Sequence, residues 1–185
     1  MVKILSIVGI SGSGKTTAAE AVIRGLRGRG CTVASAKSIA CGRPGVTRRE
    51  GLSPHREESF SIDTPGSNSD RHRQAGSQLV ITRAAKETAV LFQEELPLER
   101  VLAFFRDFDY VVLEGDYDAP VPRIVTGWEE ADTAERMDKR TFAVSGRVAA
   151  GRESFRDIPA FDVTTPEGAA ALAALAEEKA GEVSL

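Results

Sequence analysis

Cysteine is nearly missing from this chain: Cys31 and Cys41 are the two thiols among 185 residues. No C-x-x-C pair and no His/Cys ligand spacing surrounds them. That excludes a disulfide framework or a thiolate metal site and leaves two ordinary thiols of a reducing compartment. Long apolar runs are missing too, since no stretch approaches the roughly 18 residues that a bilayer-spanning helix needs. The apolar N-terminal run is broken by Ser6, ends in glycines and offers no small-residue cleavage site, so it does not read as a signal peptide. An excess of one charge is also lacking. Lys and Arg number 24 against 27 Asp and Glu, a net charge of −3. Such a balance predicts neither nucleic acid nor an anionic membrane as a partner. These absences point to a cytoplasmic protein. There is also no internal repeat, low-complexity tract or interdomain linker.

What is present is ordinary for a soluble globular chain, with 42% hydrophobic and 28% charged residues. The length suits one domain, residues 1–185, able to bury about 70% of the surface its unfolded chain would expose. Lys3 to Val8 reads as a buried strand and runs straight into glycines. From Lys15 to Arg29, Ala18, Ala19, Val22, Ile23 and Leu26 recur at helical spacing, with Gly28 and Gly30 closing the helix. Thr32 to Ala36 then reads as a strand. Strand, glycine-rich turn, helix and strand make a βαβ unit and predict an α/β fold.

Further along, the pattern predicts a long basic loop over 38–60. It carries Arg43, Arg48, Arg49 and Arg56, and loops this long are usually functional or disordered. A helix is expected over Gly66–Gly76, capped by Ser67 or Ser69. Strands are expected over Leu79–Thr82 and Thr88–Phe92, and a helix over Pro97–Asp107. Tyr110–Leu113, Arg123–Thr126, Phe142–Ser145 and Phe161–Thr164 read as strands. Pro166–Ala180 reads as a closing Ala-rich helix.

The segment Gly9-Ile10-Ser11-Gly12-Ser13-Gly14-Lys15-Thr16 satisfies G-x-x-x-x-G-K-[ST] at every fixed position, between a strand and a helix. The glycines allow the backbone to curl with its N–H groups inward, at φ values that side chains disfavour. Phosphates then sit on those donors and on the positive end of the helix. Lys15 supplies a point charge, and the Thr16 hydroxyl is placed to ligate Mg²⁺. A Rossmann site would need a third glycine where Thr17 stands. The ligand is therefore a nucleoside triphosphate with Mg²⁺. A carboxylate at a neighbouring strand end should share that metal, and Glu114 and Asp63 are the candidates, with Asp116 and Asp118 as rivals.

Four segments in this order carry a family resemblance. They are GISGSGKTT (Gly9–Thr17), Lys37 after the second strand, IDTPGSNSDRHRQAGS (Ile62–Ser77) and VVLEG (Val111–Gly115). Together with PRIVTG, TFAVSG and FDVTTPEGAAALAALAEE they resemble the MobB family, molybdopterin-guanine dinucleotide biosynthesis protein B, over nearly the whole chain. The resemblance implies a P-loop NTPase-like, mostly parallel sheet with helices on both faces, and a homodimer. It implies GTP binding with weak hydrolysis, beside the enzyme that attaches GMP to molybdopterin. By position it carries the phosphate loop onto Gly12–Thr17. It places a second signature at Asp63, Pro65, Gly66 and Ser69, and a third at Glu114-Gly115. The chain departs from the family pattern at Ser38, Ser67, Asn68, Asp116 and Tyr117, which together remove positive charge around the cradle. The arginines of the long loop, with Arg71 and Arg73, are candidates to restore it.

The guanine-reading N-K-x-D motif is absent, so the preference for GTP over ATP rests on the resemblance. No catalytic residue can be assigned from the sequence. A P-loop small-molecule kinase and a nucleotide-gated scaffold are the other two readings. Phosphorylated product and GTP-dependent partner capture would distinguish them.

Overall fold

The computed structural model describes residues 1–39 and 61–185. The arginines Arg43, Arg48, Arg49 and Arg56 of the expected basic loop, and Cys41, lie outside the described residues.

The first βαβ unit forms where the apolar pattern places it. Strand β1 (Val2–Gly9) leads through the glycine turn into helix α1 (Lys15–Gly28), then into β2 (Val33–Lys37). Gly30, at φ 86°, ends the helix, and the Gly30 N–H donates back to the Arg27 carbonyl at 3.0 Å. Helix α2 (Asn68–Gln74) follows, shorter than its flanking glycines suggest. Ser67 is its N-cap and accepts the Asp70 N–H at 3.1 Å.

Strands β3 (Leu79–Arg83) and β4 (Thr88–Phe92) form a separate antiparallel hairpin. The helix expected over Pro97–Asp107 is α3 (Leu98–Leu102), which tightens into a 3₁₀ turn at Ala103–Phe105. The rest of the chain is β5 (Tyr110–Glu114), β6 (Arg123–Thr126), α4 (Glu130–Arg136), β7 (Thr141–Ser145), β8 (Ser154–Phe155), β9 (Ile158–Phe161), α5 (Pro166–Lys179) and β10 (Gly181–Val183).

The strand expected at Phe161–Thr164 is corrected. It occupies Ile158–Phe161, because Asp162 turns the chain by accepting the N–H and hydroxyl of Thr164 at 3.0 and 2.6 Å.

The main sheet runs β2-β5-β1-β6-β7-β9-β8, and β10 pairs beside the start of β1. The pairings of β1, β2, β5, β6, β7 and β9 along this path are all parallel. Both faces are covered, as buried parallel strands require. Alternation assigns the sides. Leu5, Ile7, Val112 and Ile124 meet Val22 and Leu26 of α1 and Leu172 and Ala176 of α5. Ile4, Val111 and Leu113 meet Leu102 of α3 on the other face. A third cluster joins Val144, Val148, Phe155 and Ala160 to Ala134 of α4. Burying one such aliphatic side chain stabilises by about 1.5–3 kcal/mol. Helices α1 and α5 approach so closely that a Cβ on Gly25 would lie 2.2 Å from the Ala173 Cβ. Parallel packing brings the carboxyl ends of β2, β5, β1, β6 and β7 to one edge, where ligands of open α/β sheets bind.

Candidate nucleotide site

At that edge, residues 9–16 join β1 to α1. Gly12 and Gly14 adopt φ of 76° and 97°, as an inward-curling turn requires. The turn is fixed from the β6 side. Ser13 Oγ and Thr126 Oγ1 lie 2.7 Å apart in a buried hydrogen bond. A Cβ on Gly9 would lie 2.3 Å from the Thr126 carbonyl oxygen, so only glycine fits there. The end of β7 closes in as well. Gly146 sits at φ 85° and ψ −167°, a region that side chains avoid. A Cβ there would meet the Ser13 carbonyl oxygen at 2.4 Å.

The β5 side supplies charge. Lys15 Nζ donates to the Gly9 and Ile10 carbonyls at 2.8 and 2.7 Å, curled under the loop. Burial holds the Lys15 ammonium below its ordinary value of 10.5. Glu114 opposes that shift, while Lys37 and Arg136 add to it. Thr16 Oγ1 donates to Glu114 Oε1 at 2.9 Å, and Lys37 Nζ reaches the same oxygen at 3.0 Å. Register explains the meeting, since Glu114 pairs with Lys37 across β2–β5 and with Ile7 across β1–β5. A bound anion would return to Lys15 the favourable charge that burial removes.

The loop after β5 braces this arrangement. Tyr117 Oη accepts the Gly9 N–H at 2.8 Å, and Ser6 Oγ donates to the Asp116 carbonyl at 2.7 Å. Arg123, 4% exposed at the start of β6, donates to the Tyr117 and Ala119 carbonyls, each at 3.1 Å. Gly115 is pressed against β2, for a Cβ there would lie 2.8 Å from the Ser38 carbonyl oxygen.

Lys15, Thr16, Lys37 and Glu114 are thus brought together. Ser11 is half-buried in the loop, and Thr17 is exposed on the first turn of α1. The second signature is built differently. Asp63 does not end a described strand; it lies in a bend before α2. Its Oδ1 accepts from Ser67 and Ser69 hydroxyls at 3.1 and 3.0 Å, and from the Thr64 N–H at 2.8 Å. Gly66 donates its N–H to Asp70 Oδ2 at 2.8 Å. Asp63, Gly66 and Ser69 therefore belong to a self-bonded turn. Asp63 Oδ2 is buried there with no hydrogen-bond partner among the described residues. Arg73 is engaged by Asp70, while Arg71 is exposed.

The donor chemistry fits Mg²⁺. The Thr16 hydroxyl and Glu114 carboxylate are hard oxygens at one point, and Mg²⁺ commonly takes one or two carboxylates with substrate phosphates and water. Among the described residues no cluster of three His, Cys, Asp or Glu side chains forms a metal site of protein ligands alone. Beside Lys37 opens a cavity of about 510 Å³, lined by Glu95, Glu99, Asp116 and Asp118 together with Leu98 and Leu113.

The residues that sequence reasoning missed are Thr126, Gly146 and Arg123. Thr126 and Gly146 reach the loop across more than a hundred residues of chain, Arg123 braces the loop after β5, and none belongs to a local motif. Tyr117 was visible only as a departure from a pattern.

Comparison with known proteins places this arrangement among relatives. The family model described as "Molybdopterin guanine dinucleotide synthesis protein B" (MobB) matches residues 48–146, more than half of the chain. A molybdopterin-guanine dinucleotide biosynthesis adapter protein from Haemophilus influenzae is 29% identical over 133 residues. That match covers 70% of this chain and 65% of the relative. The crystal structure of Bacillus subtilis MobB superposes with a TM-score of 0.70 at 21% identity, covering 97% of this chain and 99% of that one. A MobB protein homolog from Bacillus stearothermophilus superposes at 0.64 and 18% identity, covering 95% and 96%. At those identities the superpositions establish a shared P-loop NTPase-like α/β fold. No described helix is long and apolar enough to cross a membrane.

Proposed function

The chain belongs to the MobB family, and we propose that it is a GTP-binding accessory protein of molybdopterin guanine dinucleotide synthesis, working in the cytoplasm as one nucleotide-binding domain. The observation that carries this reading is the meeting of Lys15, Thr16, Lys37 and Glu114 at the carboxyl edge of the sheet. The N–H groups of Gly12 to Thr17 and the Lys15 ammonium hold the phosphates, and Gly9, Ser11, Ser13 and Gly14 shape the cradle. Thr16 and Glu114 hold Mg²⁺; Asp63, whose Oδ2 is buried without a hydrogen-bond partner among the described residues, is the remaining carboxylate candidate. Bound there, Mg²⁺ would neutralise phosphate charge. Lys37 fixes the Glu114 carboxylate at 3.0 Å.

This set binds and neutralises charge but includes no residue that activates a water, so the hydrolysis proposed is slow. Glu95, Glu99, Asp116 and Asp118 line the cavity beside Lys37, which makes that cavity a poor seat for an anion. Molybdopterin and the enzyme that attaches GMP to it are the proposed partners, and molybdopterin is not assigned to that cavity. The exposed face of the hairpin, with Leu79, Ile81 and Val90 beside exposed Phe104, supports a homodimer. Ile81→Lys should shift sedimentation from dimer to monomer, and a monomeric parent protein would refute that contact.

The function is tested by adding the purified chain and GTP to the GMP-attaching enzyme with molybdopterin. Dinucleotide yield should rise with the parent chain and not with Lys15→Ala. Equal yields with both would defeat the proposal.

A further inference from the structure

The phosphate cradle has two sides, and only one is committed to the metal. On the β5 side stand Glu114 and Lys37. On the other side the wall is made by the ends of β6 and β7, and Gly146 packs on the Ser13 carbonyl so tightly that no Cβ fits between them. Gly14 faces the same wall, since a Cβ on it would lie 3.5 Å from the Gly146 Cα. A nucleotide whose terminal phosphates meet Thr16 and Glu114 must extend its sugar and base away from them, over β6 and β7.

Two side chains wait there, each two residues past its strand. Trp128 follows β6 through Gly127, and Arg147 follows β7 through Gly146. The Arg147 guanidinium carbon lies 4.6 Å from the Trp128 ring centroid. Arg147 is exposed, and among the described residues it forms no ion pair with a carboxylate. The ring orders the guanidinium while its N–H edge stays open.

We propose that Trp128 and Arg147 form the nucleobase platform of this site and select guanine. The inference rests on the nucleotide reading and adds the residues that read the base. Guanine presents O6 and N7 as adjacent acceptors that a guanidinium can bind with two donors, whereas adenine offers N7 beside an amino donor. Bases also stack on tryptophan rings and on arginine planes. The N-K-x-D motif is absent from the sequence, so guanine selection falls here to a cation in place of a carboxylate.

Trp128 is the single tryptophan of the chain, so its fluorescence reports on this position alone. Titration with GTP, ATP and inorganic tripolyphosphate, each with Mg²⁺, tests the proposal in the parent protein and in Arg147→Ala and Arg147→Lys. GTP should change Trp128 emission, and tripolyphosphate, which fills the cradle without a base, should not. Arg147→Ala should weaken GTP about tenfold by calorimetry. It should leave tripolyphosphate affinity and the melting temperature unchanged, and abolish the preference for GTP over ATP. Arg147→Lys should not restore that preference, because an ammonium lacks the fork. Full GTP affinity and preference in Arg147→Ala would overturn the base assignment while leaving the cradle intact. Failure of both GTP and tripolyphosphate to bind the parent protein would overturn the nucleotide reading itself.

Discussion

Thr16 Oγ1 and Glu114 Oε1 lie 2.9 Å apart and join the first turn of α1 to the last residue of β5. One end of this contact comes from a contiguous motif, and the other arrives through strand pairing from 98 residues away. The contact exists because β5 inserts between β1 and β2, which aligns Glu114 with Ile7 and Lys37. A hydroxyl and a carboxylate so placed, with Lys15 and Lys37 beside them, form a site for phosphate and a hard cation.

Lys15 should account for much of the phosphate affinity. A charge-assisted hydrogen bond contributes about 1.5–3 kcal/mol, so Lys15→Ala should weaken tripolyphosphate roughly 10- to 100-fold in a calorimetric titration. Burial lowers the Lys15 pKa, so its charge is lost at lower pH than that of an exposed lysine. Affinity in the parent protein should therefore decline as pH rises through the window below 10.5, and binding should take up protons there. Lys15→Ala should lose that branch of the profile.

Gly146 should tolerate no side chain. Its φ of 85° strains any other residue, and a Cβ would also meet the Ser13 oxygen at 2.4 Å. Strain of this kind costs on the order of 1–3 kcal/mol. Gly151, at φ 69°, has nothing within 4 Å of a built Cβ and so isolates the strain alone. Gly146→Ala should lower the melting temperature further than Gly151→Ala and should also weaken phosphate binding. Equal effects would contradict the wall described for the cradle.

Asp109 should contribute to the acid limb of stability. Its carboxylate accepts the Thr32 N–H and the Thr32 hydroxyl, each at 2.7 Å. These bonds hold its pKa below the ordinary 3.8. A carboxyl with a lowered folded pKa stabilises the fold above its unfolded value, and that contribution is lost as pH falls through the folded one. Asp109→Asn should therefore melt below the parent at neutral pH, with the gap closing as pH drops below about 3.8. A constant gap across that window would contradict this assignment.

How much was legible in advance follows from distance along the chain. The phosphate loop could be read because its fixed residues are contiguous and its flanking strand and helix are strongly patterned. Glu114 could be read because it ends a fully apolar strand. Lys37 came from the family pattern, and register alone gives it a partner. Helix α4 was invisible because Glu130–Arg136 has only two alanines as apolar residues, and its anchor is the buried hydroxyl of Thr133. The strand at Ile158–Phe161 lies three residues before the expected Phe161–Thr164 because Pro159 breaks its apolar pattern and Val163 extends it falsely. Asp63 looked like a strand-end carboxylate; three local donors instead fold it into the turn that starts α2.

The most direct test of the central claim is calorimetric titration with GTP, in Mg²⁺ and in EDTA, of the parent protein and Glu114→Gln. Glutamine keeps an acceptor for Thr16 and removes the charge that holds Mg²⁺. The account predicts that Mg²⁺ tightens GTP in the parent protein and loses most of that effect in Glu114→Gln, while affinity in EDTA is retained. A parent protein that binds GTP no more tightly with Mg²⁺, or a Glu114→Gln variant with an undiminished Mg²⁺ effect, would contradict it.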